Sequence, residues 1–478
     1  MQQTPGLDPA GAFRTEGAGA LFQRQRQARR AVGASTAEQR RARLGRLLQA
    51  LTARRAEAHA ALRADFGKVP EEVDLAELYP LFQELRGAMR HLERWMAPQR
   101  VPAPLSFTGS RAWIRPEPKG VVLIISPWNY PLYLTLGPLI SAIAAGNCAV
   151  LKPSEFTPSA SAFMRSLLAD LFPETEVALV EGGEETARAL LELPFDHVFF
   201  TGSPAVGRRV MRAAAEHLCP VTLELGGKSP VLVDADADPV LAARRIAWGK
   251  FLNAAQTCVA PDYVLAHTRI HGRLVAELKR AVAGFYGATP DERRRSPDFA
   301  RIVNARHHAR LRALLADSPC RIELGGDWDA GERYFAPTLV TGVPPGAPLM
   351  SEEIFGPILP VLEVADMDEA VGFVEARPRP LALYYFTGRP GAAGDLLART
   401  SAGGSCINDT VLQFVHPHLP GGGVGASGMG KAHGRFGFEA FSNARGILRS
   451  SRFSPIQWLY PPFTGTVRKL IQFTLRHF

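Results

Sequence analysis

The pattern of apolar and polar positions changes character along the chain, and each part predicts a different kind of element. Between residues 21 and 96 the apolar residues recur at helical spacing. The sequence Ser35-Thr36-Ala37-Glu38 predicts a capping box, after which one helical face carries Leu44, Leu47, Leu48 and Leu51. A second helix is predicted over about 73–96, before Pro98. Residues 1–18 are rich in Gly, Ala and Pro, and we expect them to form a loose segment.

From residue 120 onward, short and wholly apolar runs alternate with helical stretches. Strands are predicted at 121–125, 148–151, 177–180, 198–200, 221–223 and 230–233, with a helix at about 134–145. A second set follows residue 258, with strands at 261–266, 338–340 and 382–387 and a helix at 271–283. Continuous apolar strands that alternate with helices indicate buried parallel sheets, so the predicted fold class is α/β.

Two segments depart from this alternation. Residues 101–117 contain Pro102 and Pro104 and then an alternating run at 112–116, which predicts an arm or an edge strand. Residues 419–430 form a glycine-rich loop. At the end of the chain, Val467, Leu470, Ile471, Leu475 and Phe478 fall on one face of a predicted helix, with Arg468, Lys469 and Arg476 off that face. This last helix is amphipathic and basic.

Composition places the chain among ordinary globular proteins. Its 478 residues allow two or more domains, and 46% of them are hydrophobic and 21% charged. The sequence has no apolar run of membrane-spanning length and no start typical of a secretory signal. The five cysteines, at 148, 219, 258, 320 and 406, form no C-x-x-C pair. They predict reduced thiols and a cytoplasmic protein, without a disulfide frame or a zinc site.

The net charge of +9 could suggest a nucleic-acid partner, but its distribution argues against one. Residues 1–57 contain eleven Arg against four Asp or Glu, which accounts for most of the excess. Their spacing is helical, and no aromatic residues interleave with the arginines. A solvated helix face explains this charge, so no nucleic-acid partner is expected.

Candidate chemistry centres on Cys258, in the sequence Gln256-Thr257-Cys258, and on Glu224, in Glu224-Leu225-Gly226-Gly227-Lys228. A thiol that acts as a nucleophile and a carboxylate that handles protons are together sufficient for covalent catalysis. Asn129 follows the first apolar strand between two prolines. Its amide could stabilise an oxyanion, although an Asn that caps a turn is a common alternative.

Three further motifs fit a nucleotide cofactor at the carboxyl ends of parallel strands. Gly202, Ser203 and Gly207 lie where a strand gives way to a helix, a position that favours phosphate, although the spacing is G-x-x-x-x-G. Lys152 and Glu155 end another strand and could bind a ribose. Glu353 and Phe355 are two residues apart and would face one side of an extended strand. Taken singly, each motif also has a plain structural explanation: a turn, an ion pair or a strand end.

In this order and spacing, the motifs resemble those of the aldehyde dehydrogenase superfamily over about residues 20–450. The set comprises P-W-N-Y-P, K-P-S-E, F-T-G-S-x-x-x-G, E-L-G-G-K-S-P, Q-T-C, E-E-I-F-G-P and G-x-S-G-M-G. Residues 256–263 and 428–434 look most like class 3, the enzymes for fatty and aromatic aldehydes, near the coniferyl aldehyde dehydrogenases. The resemblance implies a Rossmann-like NAD-binding domain, a second α/β catalytic domain and an oligomerisation arm.

The resemblance also implies roles for individual residues. Cys258 would attack the aldehyde, Asn129 would hold the oxyanion, and Glu224 would activate the water that releases the acid. The implied cofactor contacts are Trp128, Lys152, Glu155, Gly202, Ser203, Gly207, Glu353 and Phe355. Glu155 would repel a 2′-phosphate, which favours NAD over NADP while leaving NADP open. Water is the expected acyl acceptor, because relatives that acylate coenzyme A lack the general base.

Three positions depart from the family pattern. Ala255 replaces the usual glycine before Gln256, and its methyl group is expected to tighten the cysteine loop. Gly421 stands where the family usually has Phe, in a loop that contributes to the aldehyde channel with Tyr130. We hypothesise that Gly421 widens that channel for bulky substrates. The third departure is the extension beyond residue 450, whose helix could lie on an anionic membrane, close over the substrate mouth, or dock on the protein or its dimer partner.

The expected organisation assigns 1–18 to the loose segment and 19–225 to the cofactor domain, with its arm at about 101–117. The catalytic domain follows at 226–408, an oligomerisation segment at 409–454 and the amphipathic extension at 455–478. Substrate and cofactor are an aldehyde and NAD, and a cytoplasmic homodimer, with or without peripheral membrane contact, is expected. Two other functions remain open from the residues: a cofactor-independent cysteine esterase or thiol hydrolase, and a non-catalytic relative kept for binding.

Overall fold

The computed structural model describes residues 15–104, 107–389, 391–452 and 454–477. Most of the predicted loose segment and Phe478 therefore lie outside the described residues. Residues 15–18 already belong to the first helix, which corrects the boundary of the loose segment.

The helices occupy the following segments: α1 Thr15–Gly33, α2 Ala37–Ala53, α3 Arg55–Phe66, α4 Pro70–Val73, α5 Tyr79–Met96, α6 Pro131–Ala145, α7 Pro158–Leu171, α8 Glu184–Leu191, α9 Pro204–Ala215, α10 Pro239–Phe251, α11 Thr268–Tyr286, α12 Pro290–Arg295, α13 Ala305–Ala316, α14 Pro348–Ser351, α15 Met367–Glu375, α16 Ala392–Ala398, α17 Leu412–Val415, α18 Gly434–Ala440 and α19 Gly465–His477. A π-helical segment, Asp74–Leu78, joins α4 to α5. The helix predicted over 73–96 is thus helical throughout, with one change of winding.

The strands are β1 Gln99–Val101, β2 Arg111–Pro118, β3 Val121–Ile125, β4 Cys148–Lys152, β5 Val177–Leu179, β6 His197–Gly202, β7 Val221–Leu225, β8 Pro230–Val233, β9 Tyr263–His267, β10 Arg321–Leu324, β11 Trp328–Asp329, β12 Tyr334–Phe335, β13 Thr338–Thr341, β14 Ile358–Val364, β15 Ala382–Phe386, β16 Gly404–Ile407, β17 Gly428–Met429 and β18 Ser442–Arg449. The predicted α/β class is confirmed.

Two mainly parallel sheets form the body of the molecule. The first has the order β17-β7-β6-β3-β4-β5 and is parallel apart from β17. The second has the order β10-β13-β14-β9-β8-β15-β16 and is parallel apart from β10. Strands β3, β4, β8 and β15 are buried along their whole length, as their uninterrupted apolar sequences predict.

A third, antiparallel sheet has the order β1-β2-β18 and forms an arm. The segment predicted as an arm or edge strand is β2, which is the middle strand of this sheet. Residues 442–449 pair with it over its whole length. The sequence did not indicate this pairing, because β18 carries no apolar run.

The cap of α2 lies one residue later than predicted. Thr36 accepts a hydrogen bond from the Gln39 backbone, and the Gln39 side chain accepts one from the Thr36 backbone, at 3.3 and 2.9 Å. The overlapping S-x-x-E and T-x-x-Q patterns both satisfy the capping rule, and the structure uses the second. The predicted inward face is confirmed in part, since Leu44, Leu47 and Leu51 are buried.

Candidate active site

A cleft with about 1770 Å³ of space opens where the carboxyl ends of the first sheet face the second. It is lined from β3 by Trp128 and Asn129, from β6 by Gly202 and Ser203, and from β7 by Glu224. The other wall brings Cys258, Glu353 and Phe355. Residues that are up to 227 positions apart in the chain therefore share one site, as expected at the carboxyl edge of parallel strands.

The loop that delivers Cys258 has an unusual backbone. Asn253, Ala254 and Ala255 have φ values of 55°, 49° and 60°, all in the left-handed region that L-residues avoid. The Asn253 side chain donates hydrogen bonds to the carbonyls of Asn129 and Gln256, at 2.8 and 3.2 Å, and holds this turn closed. Ala255 thus occupies a conformation that glycine would adopt more readily, which agrees with the expectation of a constrained loop.

Asn129 is buried and its amide is fixed beside the cysteine loop. One N–H of its side chain donates to the Gln256 carbonyl at 3.0 Å. Because an Asn amide has two N–H donors, the second can serve an oxyanion formed at Cys258. The backbone carbonyl of Asn129 accepts a hydrogen bond from the Lys68 ammonium group at 3.2 Å.

A buried ion pair supports this arrangement from behind. The side chains of Lys68 and Glu77 are both inaccessible to solvent, and Lys68 Nζ lies 3.2 Å from Glu77 Oε1. Glu77 Oε2 accepts the backbone N–H groups of Leu132 and Tyr133, at the start of α6. This pair links the π-helical segment, the start of α6 and the Asn129 loop, and nothing in the sequence indicated it.

The electrostatics of the cleft oppose a free thiolate. Burial, and then the carboxylates of Glu353 and Glu224, raise the pKa of Cys258 well above its usual range. Burial also raises the pKa of Glu224 and raises that of Glu353 to about 8. A nearby cation would lower the pKa of each of the three groups, because a positive charge favours the ionised form of an acid.

Glu353 and Phe355 both reach the cleft, but not from the extended strand that the sequence suggested. The segment is irregular, and Phe355 has a φ of 48°. Arg310 donates to the Glu352 side chain and to the backbone carbonyls of Glu353 and Ile354, so that side-chain bonds rather than a sheet hold the segment. Phe355 meets Trp128 edge to face at 5.2 Å.

The observations at Glu353 fit a ribose contact. Its Oε1 is buried, and none of the described residues forms a hydrogen bond with it. Its Oε2 packs so closely on Gly226 that a Cβ at that position would lie 2.0 Å away. A buried carboxylate with a free acceptor beside bare backbone suits the hydroxyls of a bound nucleotide.

Of the remaining predicted cofactor residues, only some line the cleft. Ser203 caps α9, accepting the Val206 N–H at 3.4 Å, and lines the cleft with Gly202. Gly207 packs against β7 instead, since a Cβ there would lie 2.5 Å from Leu225. Lys152 and Glu155 pair at 3.1 Å at the end of β4, on the same sheet edge but not among the residues lining the cleft.

The two predicted channel residues do not line the cleft either. Tyr130 is buried, and its hydroxyl lies 2.6 Å from Thr257 Oγ1, next to the nucleophile. Gly421 faces His433, and a Cβ at position 421 would lie 1.9 Å from His433 Cδ2. The hypothesis that Gly421 widens the channel is therefore wrong in its geometry, because the imidazole of His433 occupies the space beside it.

The structure adds functional candidates that the sequence analysis missed. His307 lines the cleft and packs on Trp128 at 5.0 Å, and burial lowers its pKa to about 4. Arg310 lies one helical turn further along α13. The approach of His433 to Glu224 was also missed. His433 stands in the class 3 segment at 428–434, which could have drawn attention to it, whereas nothing local marks His307.

Comparison with known proteins agrees with this site. A family model described as the aldehyde dehydrogenase family matches residues 12–447. Aldehyde dehydrogenase family 3 member B1 of Rattus norvegicus is 46% identical over 93% of this chain and 94% of its own length. The 4,4′-diaponeurosporen-aldehyde dehydrogenase of Staphylococcus aureus is 42% identical over 91% and 94%.

Solved structures give the same result. The substrate-bound Staphylococcus aureus AldH superposes with a TM-score of 0.91 and 40% identity, covering 95% of this chain and 99% of that one. A Mycobacterium tuberculosis aldehyde dehydrogenase complexed with NAD⁺ has a TM-score of 0.84 and 26% identity, with 92% of each chain covered.

The chain belongs to the aldehyde dehydrogenase family. It is an NAD(P)-dependent enzyme that oxidises aldehydes, and its relatives in family 3 match nearly its whole length.

Proposed function

We propose that Cys258 is the nucleophile of this oxidation and that Glu224 is the base that completes it. The observation that carries the proposal is their joint presence in the cleft with Asn129, whose amide has one N–H engaged and one to spare. The Cys258 thiolate attacks the aldehyde carbon and forms a thiohemiacetal. The oxyanion accepts hydrogen bonds from the Asn129 amide and the Cys258 backbone N–H.

When NAD(P) is bound, the chemistry it supplies is acceptance of the hydride that converts the thiohemiacetal to a thioester. Glu353, Trp128 and Phe355 would hold the nicotinamide end, and Gly202 and Ser203 would hold the pyrophosphate. The Lys152–Glu155 pair would bind the adenosine ribose. We infer a preference for NAD, because the Glu155 carboxylate repels a 2′-phosphate.

Hydrolysis of the thioester requires a base at Glu224. Glu224 takes a proton from water, the resulting hydroxide attacks the thioester carbon, and Cys258 leaves as thiolate with release of the carboxylic acid. Burial raises the pKa of Glu224, which makes the carboxylate a stronger base than an exposed one. Water is therefore the acyl acceptor.

NADH formation by the wild type and by Cys258→Ala tests the assignment. The wild type should form NADH with an aldehyde, and Cys258→Ala should form none. Cys320→Ala is the matched control, because Cys320 packs at the edge of the hydrophobic core around the second parallel sheet and does not line the cleft. NADH formation by Cys258→Ala at the wild-type rate would refute the assignment.

The substrate is proposed to be a medium-chain, long-chain or aromatic aldehyde. The family 3 relatives and the Staphylococcus aureus enzyme named for 4,4′-diaponeurosporen-aldehyde support this class. A panel from acetaldehyde to hexadecanal and cinnamaldehyde ranks kcat/KM directly. A preference for acetaldehyde over all longer aldehydes would contradict the proposal.

The extension beyond residue 450 is proposed to make peripheral contact with anionic membranes. Among the described residues, none of the helices has the length and hydropathy needed to cross a bilayer. Trp458, Tyr460, Phe463 and Phe473 are more than half exposed, and Leu475, predicted on the apolar face of this helix, is 79% exposed. Cations accompany these apolar side chains on α19.

Flotation with phosphatidylserine-containing liposomes tests the membrane contact. The full chain should float and a chain ending at Pro462 should float less, while equal flotation would exclude the role for α19.

We also propose a homodimer formed through the arm sheet, whose outer strand β18 is largely exposed. Light scattering of the purified protein measures this, and a monomer at micromolar concentration would contradict it.

A further inference from the structure

A second, smaller cavity lies behind Glu224, on the side away from the cleft. Glu84, Tyr133, Phe414 and His433 contribute to its wall. Glu224 and Thr201 line both this cavity and the cleft. The carboxylate of Glu224 therefore stands at the boundary between the two spaces, with Cys258 on one side and His433 on the other.

His433 is held in place from one side of its ring. Its Nδ1 lies 3.2 Å from Glu84 Oε1 and 2.9 Å from the Tyr133 hydroxyl. The ring stacks on Tyr133 at 5.8 Å and meets Phe414 edge to face at 4.9 Å. The Glu84 carboxylate favours a proton on Nδ1, and in that tautomer of the neutral ring Nε2 is an acceptor.

Two buried polar atoms in this region, His433 Nε2 and Glu224 Oε1, have no hydrogen-bond partner among the residues that the structure describes. Both lie close to the same stretch of backbone. A Cβ at Gly421 would lie 2.3 Å from His433 Nε2, and a Cβ at Gly422 would lie 3.2 Å from Glu224 Oε1. Two consecutive glycines therefore leave space for both atoms, and Glu224 and His433 line one cavity that has room for a water molecule.

We propose that His433 is a positioning residue for thioester hydrolysis, which accepts from Glu224 the proton that Glu224 removes from water. This inference rests on the function proposed above. When Glu224 has taken the proton from water, it passes that proton to His433 Nε2 through a bridging water molecule. Glu224 returns to the carboxylate, and the imidazolium that forms is stabilised by the Glu84 carboxylate at Nδ1.

The charged groups around His433 agree with this assignment. Burial lowers the pKa of His433, but the hydrogen bond and charge of Glu84, together with the charge of Glu224, raise it above the usual value. The carboxylate of Glu84 therefore favours the imidazolium form of His433. Lys431, the other cation that acts on Glu224, donates to the carbonyls of Gly422 and Gly423 at 2.7 and 3.2 Å. Tyr133 stays neutral, because burial raises its pKa well above the usual value.

The test separates formation of the thioester from its hydrolysis. His433→Gln is compared with His308→Gln, since His308 is a buried histidine that bonds the Tyr334 carbonyl and does not line either space. Stopped-flow absorbance measures the first NADH equivalent, and rapid acid quench with mass spectrometry measures acyl-Cys258 during turnover. The expected result for His433→Gln is an unchanged first equivalent, accumulated acyl-Cys258 and a kcat about 10- to 100-fold lower.

The pH profile supplies a readout that a structural role would not move. Glu84→Gln keeps an acceptor for the Gly434 N–H, which Glu84 Oε2 binds at 2.9 Å, but removes the charge beside His433. In this variant the limb of the kcat–pH profile that reports the ionisation of His433 should move to lower pH. In His433→Gln that limb should disappear.

Three outcomes would overturn the proposal. These are no accumulation of acyl-Cys258 in His433→Gln, an equal decrease in the rates of thioester formation and of turnover with an unchanged pH profile, or the same kinetic defect in His308→Gln. A wild type that forms no NADH with any aldehyde would instead defeat the function on which the proposal rests.

Discussion

Removal of the buried cation Lys68 should destabilise the protein strongly, and the structure sets the scale. Lys68 is surrounded by protein, with Glu77 at 3.2 Å and with Glu72 as a second nearby carboxylate. Lys68→Met preserves the length of the side chain and leaves both acids without their cation. Loss of one partner from a buried ion pair costs about 3–5 kcal/mol, because the remaining charge has lost both water and its partner.

This cost translates into a measurable change in melting temperature. An unfolding entropy of roughly 2.1 cal/mol/K per residue gives about 1 kcal/mol/K for 478 residues. The expected decrease in Tm for Lys68→Met is therefore about 3–5 °C at pH 8. Turnover should decrease as well, because Lys68 also fixes the carbonyl of Asn129.

The loss of stability caused by Lys68→Met should increase with pH. Burial already raises the pKa of Glu77, and loss of Lys68 raises it further. A carboxyl whose pKa is higher in the folded protein favours folding at low pH and loses that contribution as pH rises through the folded pKa. The Tm difference between variant and wild type should therefore be larger at pH 8 than at pH 5.

Scanning calorimetry at both pH values measures this, with Lys279→Met as the control. Lys279 pairs with Glu323 at 3.6 Å but is 41% exposed, so its loss should change stability by no more than about 0.5 kcal/mol. A Tm decrease below about 1 °C for Lys68→Met at pH 8, or equal losses at both pH values, would refute this reasoning.

Three further predictions concern the active site. Glu224→Gln should still form the first NADH equivalent in stopped-flow measurements but turn over about 100-fold or more slowly, and unchanged turnover would remove Glu224 from the mechanism. Gly421→Ala should lose about 1–3 kcal/mol in urea unfolding, because its Cβ meets His433, and wild-type stability would contradict the packing described here. Glu353 has a pKa raised to about 8, so its contribution to stability is present below the unfolded pKa and is lost as pH rises through about 8. The Tm of Glu353→Gln relative to the wild type should therefore rise between pH 6 and pH 9, and parallel Tm curves would count against this.

The strands were predictable from the sequence because a strand buried on both faces must be apolar at every position. The strand predicted at 121–125 is β3, and those predicted at 148–151 and 230–233 are β4 and β8. Strand β18 was not predicted, because it is mostly exposed and its partner β2 lies more than 300 residues away. A local pattern carries no information about such a pairing.

Predictions that depended on the exact backbone were less successful. The sequence placed Glu353 and Phe355 on an extended strand, whereas side-chain bonds from Arg310 hold an irregular segment there. The expected role of Gly421 also failed, because it required knowledge of the side chain that occupies the neighbouring space. Nothing in residues 419–423 identifies that neighbour as His433.

The sequence by itself determined the α/β class, the apolar strands and, through the spacing of its motifs, the residues that converge on the cleft. These properties follow from periodicity and from the rule that parallel strands present their carboxyl ends at one edge. Only the tertiary structure brought His433 to Glu84 across 349 residues and Lys68 to Asn129 across 61. The partners of a buried charge depend on how helices and sheets pack, so the electrostatics around Glu224 and Cys258 are a property of the folded protein.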